Sequence, residues 1–229
     1  MLTSDELGIL WLSLKVSFWA VGFSLPFAVA CAWLLARKDF PGKTLFDAVI
    51  HLPLVLPPVV IGFLLLMLLG RNGPIGAYLD QWFGIVFAFK WTGAALASAI
   101  MGFPLMVRAI RLSLSAIDPK LESAARTLGA SPWQVFRTIT LPLAAGGIFT
   151  GALLSFARCL GEFGATITFV SNIPGQTQTL PLAIYNATQV PGAEPVAFKL
   201  SLVAVALSIA ALAASEWMTR RARTHDVQR

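Results

Sequence analysis

Charged side chains are scarce in this chain of 229 residues. Asp, Glu, Lys and Arg together make up 12% of it, whereas 57% of its residues are hydrophobic. In a typical water-soluble domain, about a quarter of the residues are charged. The shortage of charge excludes an ordinary soluble domain and indicates an integral membrane protein.

Cysteine and histidine are also rare, with two of each. Cys31 and Cys159 fall in apolar stretches, where a free thiol packs like a small hydrophobic side chain, so we expect neither a disulfide framework nor a metal site. No apolar stretch holds two acidic residues, or a histidine beside a nucleophile, as an intramembrane enzyme would need. We therefore expect a chain that catalyses no reaction itself.

What the chain does have is long uncharged runs, at residues 16–36, 52–70, 91–107, 138–157 and 200–215. A helix of about 20 apolar residues crosses the hydrocarbon core of a bilayer. The sequence thus predicts an all-α polytopic membrane protein in which residues 1–229 form one transmembrane domain. We place five spans at about 12–36, 50–70, 91–110, 138–162 and 198–218.

Lysine and arginine are concentrated in three segments outside these runs. Segments 36–50, 108–137 and 218–229 contain Arg37, Lys38, Lys43, Arg108, Arg111, Lys120, Arg126, Arg137, Arg220, Arg221, Arg223 and Arg229. Such an excess marks the cytoplasmic side, so we expect the N-terminus outside and the C-terminus inside. Segment 163–195 then faces outward as a periplasmic lid or docking element. The net charge of +6 belongs to the inner face, and no basic and aromatic motif points to nucleic acid.

The cytoplasmic stretch 118–137 has the local signals of two short helices joined by a tight turn. Asp118 and Pro119 are a typical helix start, and Gly129 suits the left-handed position that ends a helix. Ser131 followed by Gln134 predicts a capping box at the start of the second helix. We therefore predict a compact helix–turn–helix segment at the membrane surface.

The same stretch carries a recognisable motif. Glu122 and Arg126 stand four residues apart, a spacing that favours an ion pair on one helix face. Residues 122–142 resemble the EAA loop of ABC-transporter permeases at Glu122, Ala124, Ala125, Gly129, Ile139, Leu141 and Pro142. The resemblance implies that 118–137 is a coupling loop, whose first helix lodges in a groove of a separate ATPase subunit. The coupling residues that it implies are Glu122, Ala124, Ala125, Arg126, Gly129, Ala130 and Pro142.

The chain lacks the Gly-x-x-x-x-Gly-Lys-[Ser/Thr] motif of phosphate-binding loops. Together with the resemblance, this implies that the chain binds no cofactor. ATP and Mg²⁺ would act on the partner ATPase subunit, which would also carry out hydrolysis. The energy for any transport would then reach this chain through the coupling loop.

Further stretches, at 52–62 with 70–76 and at 160–168 with 171–181, resemble the molybdate-type permeases of the molybdate and sulfate oxyanion permease family. This resemblance covers nearly the whole chain and implies the type I ABC importer permease fold. It implies a homodimer in the bacterial inner membrane, surrounded by lipid, with two ATPase subunits and a periplasmic molybdate-binding protein. The implied activity is import of molybdate, with tungstate as a second candidate substrate, by alternating access.

Two alternatives stay open. Sulfate permeases share the Leu-Gly-Glu-Phe-Gly theme found here at 160–164 and a related proline-rich second span, so sulfate, thiosulfate or another oxyanion is the alternative substrate. A secondary transporter or channel would be a different class of protein. The sequence shows no evident inverted repeat, and the 118–137 segment would have no role in such a protein.

A dianion crossing the membrane needs neutral hydrogen-bond donors, because a strongly cationic site would bind it too tightly. Hydroxyl side chains along or beyond the fourth span are Thr150, Ser155, Thr166, Thr168 and Ser171. Arg158 and Glu162 either pair with each other, or leave Arg158 to sense the anion, or do neither. We take the candidate pathway and gate residues to be Arg158, Glu162, Phe163, Gly164, Thr166 and Thr168. Two copies of the fourth span would close on each other at Phe163 and Gly164.

Overall fold

The computed structural model describes residues 3–226, and within that range the side chains of residues 3–210 and 213. These residues form helices and connecting loops, with no strand among them. The helices are α1 Ser4–Arg37, α2 Lys43–Val55, α3 Pro58–Leu69, α4 Pro74–Phe83, α5 Trp91–Ala116, α6 Pro119–Thr127, α7 Pro132–Val135, α8 Leu141–Leu160, α9 Gly164–Val170, α10 Leu180–Thr188 and α11 Glu194–Asp226. A π-helical turn, Phe136–Thr140, joins α7 to α8.

Three helices in the described part of the chain are long and apolar enough to cross a bilayer: α1, α5 and the continuous helical stretch Pro132–Leu160. They contain the expected spans 12–36 and 91–110 and nearly all of 138–162. Helix α2 and helix α3 together would make a fourth, broken span. Helix α11 covers the expected span 198–218, but most side chains of its second half, including the basic residues beyond 217, lie outside the described set.

Helices α1, α5 and α8 pack against one another and form the centre of the molecule. One buried cluster joins Ala28 and Ala32 of α1 to Met106 and Ile110 of α5 and to Ala144 of α8. Glycines of α8 lie so close to α5 that a side chain at Gly147 would collide with Ser113. Small residues at these contacts allow the close backbone approach that stabilises helix pairs in membranes.

The expected second span, 50–70, is not one straight helix. Helix α2 ends at Val55, helix α3 starts at Pro58, and the two axes meet at 111°. Pro57 and Pro58 have no backbone N–H to continue the helix, and Leu56 and Pro57 adopt extended ψ angles. The chain therefore turns sharply inside the stretch that the sequence predicted as a single span.

Helix α9 packs against α3. A side chain at Gly62 of α3 would lie 2.5 Å from the carbonyl oxygen of Ala165, and one at Gly164 would lie 2.7 Å from Pro58 Cβ. Phe169 and Val170 are fully buried. The expected outer segment 163–195 thus begins with a helix that belongs to the core, and residues 177–180 are buried as well. Its exposed residues beyond α9 lie at 174–176 and mainly at 185–195, so only these can serve as a lid or docking element.

Helix α10 is held between the ends of α1 and α11. The backbone N–H of Leu180 donates to Ser13 Oγ at 2.7 Å. Lys199 of α11 forms an ion pair with Glu6 of α1, with 2.6 Å between Nζ and Oε1. These contacts fix the end of the bundle that lies opposite to α6 and α7.

Candidate functional site

The 118–137 segment folds as the two short helices that its sequence predicts. The carboxylate of Asp118 accepts from the Lys120 N–H at 2.9 Å and starts α6. Gly129 ends it with a φ of +89°, in the left-handed region. Ser131 and Gln134 exchange both hydrogen bonds of a capping box, at 3.3 and 2.8 Å. The predicted caps are therefore confirmed.

The surface of this segment carries exposed apolar side chains. Leu128 is 88% exposed, Trp133 67% and Leu121 49%. Of the residues assigned to coupling, Ala125 and Ala130 are half-buried, and Ala124, Arg126, Gly129 and Pro142 are exposed. The segment thus presents an apolar and small-residue surface outward from the bundle, of the kind that contacts another protein.

Glu122 is the exception, because it is buried and faces the bundle. Its Oε1 accepts from Arg37 Nε at 3.1 Å and from Thr140 Oγ1 at 2.9 Å. The expected pair with Arg126 does not form: no ion pair between those two residues occurs in the described structure. Sequence reasoning missed Arg37 and Thr140, since Arg37 lies 85 positions from Glu122 and no local spacing connects them.

Arg158 and Glu162 form the ion pair that their spacing allows. Arg158 Nη1 lies 2.7 Å from Glu162 Oε2, and the Glu162 side chain is 1% exposed. The other carboxylate oxygen accepts from the Ala165 N–H at 2.8 Å, at the start of α9. A carboxylate at a helix N-terminus is favoured by the helix dipole. Of the three readings of these charges, the structure supports pairing, and it adds a capping role for Glu162.

The hydroxyl groups of the candidate pathway are engaged within α9. Thr166 Oγ1 donates to the Phe163 carbonyl and Thr168 Oγ1 to the Gly164 carbonyl, both at 2.9 Å. In this conformation their protons are therefore not directed at an anion. The Phe163 ring packs on Tyr185 of α10, with 5.0 Å between centroids. Gly164 contacts Pro58 of the same chain, so its small size is already required by packing within one subunit.

A second feature lies at the opposite end of the bundle. A cleft of about 700 Å³ is lined by residues that include Trp11, Lys15, Lys90, Trp91 and Gln176. The Lys15 ammonium lies 3.8 Å from the centroid of the Trp91 ring, a cation–π contact. Sequence reasoning missed this cleft, because its residues come from α1, from the turn before α5 and from the loop after α9.

Comparison with known proteins identifies the family to which this chain is related. The model of the family described as binding-protein-dependent transport system inner membrane component matches residues 24–224. The molybdenum transport system permease protein ModB of Escherichia coli K12 is 60% identical over 223 residues, which cover 97% of each chain. ModB of Haemophilus influenzae is 61% identical over 216 residues, 94% of each chain. The sulfate transport system permease protein CysW of E. coli K12 is 36% identical over 180 residues, covering 79% of this chain and 62% of that protein.

Solved structures with the same fold are permeases of ABC transporters. A bacterial alginate ABC transporter in complex with a pentasaccharide-bound periplasmic protein matches with a TM-score of 0.75 and 17% identity, over 96% of this chain and 80% of that chain. An inward-facing form of the MetNI methionine ABC transporter matches with a TM-score of 0.73 and 16% identity, over 96% and 99%. At this identity the likeness shows the fold, which is that of type I ABC importer permeases.

Proposed function

The chain belongs to the binding-protein-dependent transport system inner membrane components, as one of the molybdenum-type permeases, and on that premise we propose that it carries molybdate across the inner membrane into the cell. The observation that carries the substrate assignment is the 60% identity to the E. coli molybdenum permease over 97% of both chains. The sulfate permease of the same organism is more distant, at 36% identity. Tungstate, a tetrahedral dianion like molybdate, is the second candidate substrate.

The chain's part in the system is transport, and ATP hydrolysis is assigned to a partner. We propose that α6 docks in a groove of an ABC ATPase subunit. The support is the exposed apolar surface of Leu121, Leu128 and Trp133, which lies at the basic end of the bundle. Apolar side chains this exposed outside the bilayer are typical of a protein–protein contact. ATP and Mg²⁺ would be bound by the ATPase, so this chain would need no cofactor.

We further propose a homodimer of this chain with two ATPase subunits and one periplasmic molybdate-binding protein. The binding protein would dock at the end of the bundle that carries the cleft with Lys15 and Lys90. Lys15 and Lys90 outnumber the single carboxylate of the lining, Asp5, and this excess of positive charge favours an acidic protein surface or an arriving oxyanion. The α6 surface proposed to bind the ATPase and the cleft lie at opposite ends of α1. A transporter that uses ATP on one side of the membrane and takes up substrate on the other requires this arrangement.

Transport would proceed by alternating access. Closure of the two ATPase subunits on ATP would draw the two α6 helices together and open the pathway outward against the docked binding protein. Hydrolysis would reset the permease to the inward-open state. In the proposed pathway, the charges of Arg158 and Glu162 would offset each other, so that a dianion could pass without being trapped. Phe163, Gly164, Thr166 and Thr168 remain the proposed gate region beside it.

The test is uptake of radiolabelled molybdate at nanomolar concentration by bacteria that lack their own molybdate permease, with and without this chain and its operon partners. We expect uptake that depends on the chain, falls with a large excess of unlabelled tungstate and survives the same excess of sulfate. Loss of uptake under sulfate would transfer the assignment to sulfate permeases. Uptake that continues in cells depleted of ATP would instead support a secondary transporter.

A further inference from the structure

Four elements meet at one buried ion pair. Arg37 is the last residue of α1, Ile117 caps the C-terminal end of α5, Glu122 lies in the first turn of α6, and Thr140 is the last residue of the π-helical turn before α8. Helices α1, α5 and α8 are the ones that form the centre of the bundle. The ion pair therefore connects α6 to all three central helices.

The geometry of the connection depends on the arginine. Arg37 Nη2 lies 3.0 Å from Glu122 Oε1, and Nε donates to the same oxygen at 3.1 Å. Nη2 also donates to the Ile117 carbonyl at 3.3 Å. The planar guanidinium thus holds the carboxylate of α6 and the last turn of α5 at once, which the single ammonium of a lysine does with less geometric control.

Helix α6 has little else that attaches it to the bundle. All nine of its residues are described, and Glu122 is the one that is buried. The side chains of Arg37 and Glu122 are 12% and 11% exposed, so the pair is shielded from solvent and from screening by salt. The other face of α6 is exposed, and its apolar neighbours Leu121 and Leu128 point away from the core. A polar contact rather than an apolar one fixes the position of this helix.

We propose that Arg37 is the positioning residue through which a movement of α6 reaches the central helices. The proposal rests on the proposed function, in which α6 is the element that the ATPase moves. With Arg37 in place, a displacement of α6 pulls the ends of α1 and α5 with it. Without Arg37, α6 keeps the hydrogen bond from Thr140 to Glu122 but loses its attachment to α1 and α5, so ATP is hydrolysed with less movement of substrate.

The test uses the assembled transporter in proteoliposomes, with its ATPase subunits and the molybdate-loaded binding protein, and measures ATP hydrolysed per molybdate imported. For Arg37→Gln we expect the ATPase to remain bound and the ratio to rise by about tenfold. Lys43→Gln is the matched control, because Lys43 is a nearby basic residue whose ion pair, with Asp39, is exposed. It should leave the ratio within about twofold of the wild type. An unchanged ratio in Arg37→Gln would overturn the proposal.

A second pair of variants separates positioning from mere stabilisation. Arg37→Gln leaves Glu122 buried without a counter-charge, and the double variant Arg37→Gln with Glu122→Gln removes that penalty. We expect the double variant to regain thermal stability but to stay uncoupled. Recovery of the normal ratio along with the stability would mean that the pair acts only by balancing charge. If Arg37→Gln does not accumulate in membranes, Arg37→Lys takes its place, and the proposal fails if that variant has the wild-type ratio.

A further measurement needs no substrate, and so distinguishes a failure of this inference from a failure of the proposed function. A nitroxide spin label is attached at Leu128→Cys in the permease alone, with Cys31 and Cys159 replaced by alanine. Arg37→Gln should increase the mobility of the label, because α6 loses its buried attachment, and Lys43→Gln should not. Equal mobility in all three proteins would rule out the positioning role, whatever substrate the wild-type transporter carries.

Discussion

Gly129 ends α6 in a backbone conformation that residues other than glycine rarely adopt. Its φ is +89°, and its N–H donates to the Arg126 carbonyl at 3.0 Å. Nothing lies within 4 Å of the position that a Cβ would take, so a substitution there adds strain without a clash. Gly42, in the turn between α1 and α2, has a φ of +84° and the same open surroundings. Gly42→Ala therefore imposes the same backbone strain as Gly129→Ala, but outside the 118–137 segment, and serves as its control.

We predict that Gly129→Ala and Gly42→Ala each destabilise the protein by about 1 kcal/mol, the cost of the left-handed conformation for an L-residue. Only Gly129→Ala should lower molybdate uptake per ATP, because it tilts the exposed Leu128 surface that follows α6. Melting temperature and the ATP-to-molybdate ratio in proteoliposomes measure the two effects. An equal loss of coupling in both variants would show that the turn at Gly129 has no special part in docking.

Residues that act over short distances were predictable. Asp118, Ser131 and Gln134 cap helices within three positions of themselves, so the sequence alone identified them. The partner of Glu122 was not predictable. Helical spacing favoured Arg126, whereas the true partner, Arg37, comes from the end of another helix. A buried carboxylate takes the cation that the fold brings to it, and only the packed structure identifies that cation.

At the scale of elements, the contact between α3 and α9 depends on glycine on both sides. A Cβ at Gly62 would lie 2.5 Å from the Ala165 carbonyl oxygen and 2.9 Å from Thr168 Cβ. Backbone atoms cannot move aside as a flexible side chain can. By contrast, a Cβ at Gly22, on the exposed side of α1, would meet nothing within 4 Å.

We predict that Gly62→Ala lowers stability by about 1–3 kcal/mol, since it separates two packed helices. Gly22→Ala should leave stability unchanged or raise it by up to about 1 kcal/mol, because alanine favours helix over glycine. Thermal unfolding of the purified permease in detergent compares them. A Gly62→Ala protein as stable as the wild type would mean that α3 and α9 are not held together as tightly as their backbones indicate.

The same contact changes how Gly164 is to be tested. Gly164→Leu would test a gate between two subunits, but Gly164 already packs on Pro58 within one chain. A transport defect in that variant would follow from misplacement of α9 as readily as from a blocked gate. Crosslinking of Phe163→Cys between subunits addresses the gate more directly, because Phe163 is only half-buried.

Elements were predictable where one apolar run makes one continuous helix, as for α1 and α5. The second span was expected as one helix over 50–70, and the bend of 111° at Pro57 and Pro58 was not predicted. The burial of α9 could not be foreseen either. The whole segment 163–195 was expected to face outward, whereas its residues 164–170 pack against α3, an element some 100 positions earlier in the chain.

At the scale of the whole molecule, the coupling loop and the lysine-lined cleft lie at opposite ends of α1, which is 34 residues long. At about 1.5 Å per residue the helix measures about 50 Å, enough to cross a bilayer and reach water on both sides. The positive residues at 36–50 and 108–137 predict that the 118–137 segment faces the cytoplasm.

We predict that Asp5→Cys reacts with a membrane-impermeant thiol reagent in intact spheroplasts, and that Lys120→Cys reacts only after the membrane is opened. Both side chains are exposed, so access depends on the side of the membrane and not on burial. The unsubstituted protein serves as control for Cys31 and Cys159. The reverse pattern would invert the topology and place the α6 surface where no ATPase could reach it.

The attachment of α6 through Arg37 and Glu122 also has a thermodynamic consequence. Unfolding of the bundle exposes apolar surface and therefore changes heat capacity strongly. Release of α6 breaks a polar contact and exposes little hydrocarbon, since Glu122 is the one buried residue of that helix. The free energy of this release should then vary less steeply with temperature than that of unfolding the bundle. Warming or cooling the membrane would change the stability of the bundle more than it changes the attachment of α6.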